Sequence, residues 1–75
     1  MQKRKEVSKL NVAKISEKLI QLRGNKSQEM VAREIGISTS ALSMYETANR
    51  IPKDEIKIKI ANYYNTTVQS IFFEE

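Results

Sequence analysis

Residues 32–42 read AREIGISTSAL, and how this stretch is interpreted decides the fold. Helix-compatible residues run to Ile35, Gly36 interrupts them, and Ser38, Thr39 and Ser40 precede the next apolar pair, Ala41 and Leu42. A serine ahead of an apolar run can accept from the unpaired N–H groups of a helix's first turn. Two short helices are therefore expected on either side of Gly36 and Ile37, with Ser38 capping the second. A turn that swings the chain through about 90–120° usually needs one residue at positive φ, which glycine adopts without a Cβ penalty. By itself Gly36 would read as an ordinary helix C-cap. The spacing of its neighbours makes it a hinge: Ala32, one turn earlier, is small enough for close approach, and Leu42 and Tyr45 can fill the angle.

Further elements follow on both sides. Ser27 can cap the earlier helix, whose buried stripe is Val31, Ala32 and Ile35. Ahead of it, RGNK (23–26) suits the end of a first helix in which Val12, Ile15, Leu19 and Leu22 recur at three- and four-residue spacing, with Asn11 as its N-cap. On the other side, EIKIKIA (55–61) alternates apolar and charged residues as a half-buried strand does. A helical pattern competes with it. Pro52 suits a first turn, Asp54 and Glu55 complement its dipole, and Ile56, Ile60, Ala61, Tyr63 and Tyr64 fall on helical spacing. With no partner strand in the chain, this is a fourth helix that leaves Ile58 exposed or wedged at its flank. A short fifth helix starts at Val68. There Val68, Ile71 and Phe72 are spaced to enter the core together, and Phe73, about 100° further round, points away. The expected fold class is all-α: a compact five-helix domain over 12–75 behind a flexible basic arm, 1–11.

Composition narrows the function. The chain has 75 residues, 40% hydrophobic and 29% charged, enough for one small domain. It has no cysteine and no histidine, so a disulfide framework, a thiolate metal site and the commonest general base are all missing. No enzyme, metal or cofactor is expected. The basic start leads into no apolar run, and no stretch approaches the roughly 18 apolar residues of a membrane span, which reads as a cytoplasmic protein. Residues 1–26 carry eight Lys or Arg against two Glu, a net +6, whereas 27–75 carry five basic against seven acidic residues, a net −2. That asymmetry would attract nucleic acid or an acidic membrane surface, and it would equally suit a solvated charged tail.

The segment 28–46, QEMVAREIGISTSALSMYE, closely resembles the helix-turn-helix of the lambda-repressor-like family: phage repressors, Cro proteins and xenobiotic-response-element type regulators. LRGNKSQ before it, RIP after it and KIANYYNTTVQSIF beyond are similar to the family's first, fourth and fifth helices, so the likeness covers about residues 12–72. It implies a five-helix domain that inserts its third helix into the DNA major groove and usually represses transcription as a dimer. Two departures bear on the structure. Where the family commonly has Glu-Asn-Gly, this chain has Glu46, Thr47, Ala48 and Asn49, and Asn49 is the expected left-handed residue. Many members pair that Glu with an Arg in the first helix, at a place held here by the uncharged Gln21, which leaves open whether Arg23 replaces it in the ion pair. Met30 stands where the family usually has a polar residue, resting on a helix flank or marking a partner surface.

Helical geometry then assigns the site. In the third helix Ala41, Leu42 and Tyr45 point one way; Ser40, Ser43, Met44 and Thr47 point nearly opposite, with Thr39 at the leading edge. Thr39, Ser40, Ser43 and Met44 are the candidate base contacts, hydroxyls reading base edges and Met44 a thymine methyl. Ser27 and Gln28 at the second helix's N-terminus, with Lys26, Thr47, Asn49, Arg50 and Lys53 around the groove, are the candidate phosphate contacts. The expected partner is double-stranded DNA, a palindromic operator bound by a homodimer that buries Phe73 from each chain. Competing readings are an antitoxin or protein-interaction module on the same fold, and a peripheral membrane binder. No small-molecule ligand is evident.

Overall fold

Every helix start and stop around Gly36 is made by the residue that the local chemistry requires. The computed structural model describes the backbone of residues 2–73 and the side chains of residues 12–73. It comprises α1 (Gln2–Arg23), α2 (Gln28–Ile35), α3 (Thr39–Glu46), α4 (Asp54–Tyr63) and a terminal π-helix (Gln69–Phe73), with no strand among the described residues. Ser27 and Ser38 sit in extended conformation ahead of α2 and α3; their hydroxyls accept from the N–H groups of Met30 at 3.1 Å and Ala41 at 3.0 Å. Gly36 has φ 95° and ψ 31°, the left-handed conformation, and its N–H and that of Ile37 both bond to the Ala32 carbonyl at 2.9 Å. A Cβ added there would meet nothing within 4 Å, so Gly36 is required by the backbone angle and not by crowding.

The core takes one fully buried side chain from each α-helix, Leu19, Val31, Leu42 and Ile60. Ile15, Ala32, Ile35, Tyr45, Ala61, Ile71 and Phe72 complete it. Removing each large apolar side chain from water contributes about 1.5–3 kcal/mol, which makes this cluster the main favourable term of folding. α1 packs on α3 and on the terminal π-helix, and α2 on α3 and α4, so α3 lies between the first two helices.

Several expectations are corrected. α1 begins at Gln2, so Asn11 lies inside the helix and is not its N-cap. Leu22 is 39% exposed and outside the core; the buried stripe of α1 instead takes in Ser16, whose hydroxyl donates to the Ala13 carbonyl at 2.9 Å. Pro52 is buried but precedes Lys53, the N-cap residue of α4, and so stands outside the first turn. The alternation of residues 55–61 resolves as helix: Ile60 is buried, Ile56 half-buried and Ile58 52% exposed. The final helical run does start at Val68, which is half-buried, and it continues as the π-helix from Gln69.

The left-handed residue after α3 is Ala48, with φ 63°, and not Asn49. Position decides over preference here. The Asn49 N–H reaches back to the Met44 carbonyl at 3.0 Å and the Ala48 N–H to Tyr45 at 3.5 Å, a six-residue closure whose penultimate member must turn left-handed. After α4 the same closure falls on Asn65, φ 58°, a residue that tolerates it. For Ala48 the left-handed region costs about 1–2 kcal/mol. Glycine would remove that strain while adding about 0.4–1 kcal/mol of unfolded-state entropy. Ala48→Gly is expected to stabilise the domain by about 0.5–1 kcal/mol and raise its thermal midpoint by a few °C, as read by circular dichroism. A lower midpoint would contradict the strain assignment.

Candidate nucleic-acid interface

The outward face of α3 is set by what is fastened at its last residue. Glu46 is 3% exposed, and three hydrogen bonds from two side chains converge on its carboxylate. Arg23, at the end of α1, donates from Nε to Oε2 at 2.8 Å and from a terminal nitrogen to Oε1 at 3.0 Å. Gln28, opening α2, donates its amide N–H to Oε1 at 2.8 Å. The other terminal nitrogen of Arg23 bonds the Lys26 carbonyl at 2.7 Å, fixing the α1–α2 loop. One buried carboxylate thus ties α1 and α2 to α3, and a bidentate Arg pair is the geometry that holds a carboxylate at a defined angle. The hydrogen bond to Glu46 raises the Arg23 pKa, with desolvation opposing it. Above this group lies Tyr64, whose buried hydroxyl has no partner among the described residues. Burial, and then the Glu46 charge, push its pKa up to about 12. Arg23 replaces the missing first-helix Arg in the ion pair, and Gln21, at the usual place of that Arg, is exposed.

With Leu42, Tyr45 and Glu46 turned inward, α3 presents Thr39, Ser40 and Met44 to solvent, and Ser43 half-buried at the edge of that face. Met44 is 42% exposed, a large apolar side chain with no folding reason to be there. All four candidate base contacts therefore share one surface.

The candidate phosphate contacts divide. Arg50 and Lys53 are exposed and make no side-chain hydrogen bond or ion pair with a described residue. Ser27 lies at the α2 N-terminus, but its hydroxyl is engaged as the cap. One N–H of the Gln28 amide is committed to Glu46, which leaves its second N–H and the backbone N–H for an anion. Thr47 donates to the Ser43 carbonyl at 2.9 Å and accepts from the Asn49 amide at 2.8 Å, so both side chains close the C-terminus of α3. Lys26 lies over the Tyr63 ring, 5.4 Å from its centroid, with its ammonium 3.5 Å from the hydroxyl. That hydroxyl donates to Glu34, linking α4 to α2, and this bond is the first cause of the raised Tyr63 pKa. The partners of Gln28 and Lys26 lie 18 and 37 positions away, beyond any local pattern.

Glu46→Ala would leave the Arg23 guanidinium and the Gln28 amide without their acceptor. Breaking a buried pair from one side costs about 3–5 kcal/mol. Because Arg23 keeps 20% of its side chain in water, the lower end, about 3 kcal/mol, is expected. Urea unfolding would measure it; a midpoint equal to wild type would show that α3 is held by apolar packing alone.

Comparison with known proteins agrees with this geometry. A family model described as helix-turn-helix matches residues 17–71, from the middle of α1 into the terminal π-helix. No curated protein and no solved structure matches the chain. Since the match spans well over half of the sequence and α2, Gly36 and α3 form its helix-turn-helix, the chain belongs to the lambda-repressor-like helix-turn-helix family of DNA-binding transcription regulators.

Proposed function

We propose that this protein is a sequence-specific repressor that binds a palindromic DNA operator as a symmetric dimer, with α3 in the major groove. The observation that carries this reading is the solvent-facing surface of Thr39, Ser40 and Met44 on a helix fastened from behind by Glu46. Hydroxyls can donate to or accept from either base edges or phosphates, and an exposed methionine gains by covering a thymine methyl. Arg50 and Lys53 supply phosphate contacts beside the groove, and the basic residues Lys3, Arg4 and Lys5 add attraction that is independent of sequence. Each good base contact is worth about 1–3 kcal/mol of discrimination. Ser40→Ala and Met44→Ala are therefore expected to relax or change the preferred sequence, while Arg50→Ala weakens binding to all duplexes alike. Competition between a duplex selected from a random pool and a scrambled one would decide, and equal affinity for both with every variant would end the proposal.

The dimer reading rests on the surface formed by α4 and the terminal π-helix. Phe73 is 58% exposed and Ile58 52%, and with Val68, Asp54 and Lys57 they line an open cavity of about 450 Å³. Asp54 and Lys57 pair at 3.5 Å, with the Asp54 side chain 97% exposed. An apolar patch that carries one charge of each sign is self-complementary across a two-fold axis, where each Asp54 can face the other chain's Lys57. Such a dimer would set two recognition helices about 34–36 Å apart, one turn of the duplex. Phe73→Glu is expected to keep cooperative melting and to lower both self-association and operator affinity. In sedimentation equilibrium, a wild-type protein that stays monomeric alone and on a palindromic duplex would overturn the dimer.

A further inference from the structure

Four of the described cations have a structural task. Arg23 holds Glu46, Lys26 lies over Tyr63, Lys18 donates to the Ser70 carbonyl at 2.7 Å, and Lys57 lies 5.8 and 5.0 Å from the Phe72 and Phe73 ring centroids. Arg33, in the last turn of α2, has no such task. It is exposed and makes no hydrogen bond or ion pair with a described residue. Glu29 stands four positions earlier on the same face, the arrangement that favours a helical ion pair, yet the two do not pair. Arg33 instead lines an open concavity of about 450 Å³ with Glu29, Ile37, Ser38 and Thr39. A planar, permanently charged side chain with five donors therefore borders the first turn of α3.

We infer that Arg33 clamps a DNA backbone phosphate at the rim of the groove that α3 enters, and so acts as a positioning residue for the recognition helix. This rests on the DNA-binding reading above. A phosphate is favoured over a base because Arg33 belongs to α2, which would stay outside a groove entered by α3, and Ser38 and Thr39 share its concavity at the start of α3. Guanidinium and phosphate match as a fork of two parallel hydrogen bonds. The Glu29 carboxylate would repel DNA from this surface; Arg33 offsets it, and leaving the two unpaired keeps the guanidinium open to an external anion. The bland alternative is that Arg33 only complements the C-terminal dipole of α2, which would show in melting and not in DNA binding.

Arg33→Gln and Arg33→Lys, compared with wild type on the selected and the scrambled duplex over a range of salt concentrations, test the inference. Arg33→Gln is expected to weaken binding to both duplexes and to reduce the slope of log affinity against log salt by about one. Arg33→Lys keeps the charge and restores the slope. A duplex carrying one neutral methylphosphonate at the contacted phosphate should weaken wild type and leave Arg33→Gln unaffected. A wild-type slope in Arg33→Gln, on a duplex that wild type binds, overturns the clamp while leaving DNA binding intact. Loss confined to the selected duplex also overturns it, because it would make Arg33 a base reader. Wild type binding no duplex at low salt refutes the DNA-binding reading itself.

Discussion

The carboxylate of Glu46 is the constraint on which the geometry of the domain depends. Apolar packing can bury Leu42 and Tyr45 with some freedom to rotate α3 about its axis, because a hydrophobic contact is not directional. A bidentate hydrogen-bonded pair from Arg23, joined by a third bond from Gln28, removes that freedom. Burying a charge is costly, and the pair's net contribution to stability is accordingly small compared with its contribution to position. What it defines is which residues of α3 face outward. The same carboxylate reaches the ends of α1 and α2, so the turn around Gly36 is braced from behind as well as closed by its own backbone bonds.

This arrangement also changes how the charge of the chain should be read. A net charge of +4 counts every Lys and Arg alike. In the folded domain Arg23 is neutralised by Glu46, and Lys26 and Lys57 are laid over aromatic rings. The cations left facing outward near α3 are fewer and sit in distinct places: Arg33 beside its start, Arg50 and Lys53 beyond its end. A helix bordered at both ends by unpaired positive charge suits a polyanion that runs past it on both sides, as the two strands of a duplex do beside a major groove.

Much of this was legible because the deciding interactions are local. Ser27, Ser38 and Gly36 act on backbone groups within four residues, and the core positions of α2 and α3 follow from helical spacing. The errors have equally physical sources. Asn11 has the side chain of a cap, but capping requires the backbone to leave the helix before it, and α1 continues to Gln2. Leu22 has the spacing of a core residue, yet the last turn of α1 directs Arg23 toward Glu46 and leaves Leu22 at the edge. Asn49 has the better intrinsic tolerance of the left-handed region, but the hydrogen-bond closure assigns that place to Ala48. The commitments of Gln28 and Lys26 were hidden, since their partners come from α3 and α4 and nothing nearby in the sequence encodes them.

The central claim is that α3, held at Glu46, turns one polar face to DNA. Titrating the isotopically labelled protein with a duplex selected for binding, and mapping the backbone amide shifts by NMR, tests it most directly. The account predicts perturbations concentrated along Thr39–Thr47, at the N-terminus of α2 and around Arg33 and Arg50. Perturbations confined to the surface formed by α4 and the terminal π-helix, with α3 unchanged, would contradict it.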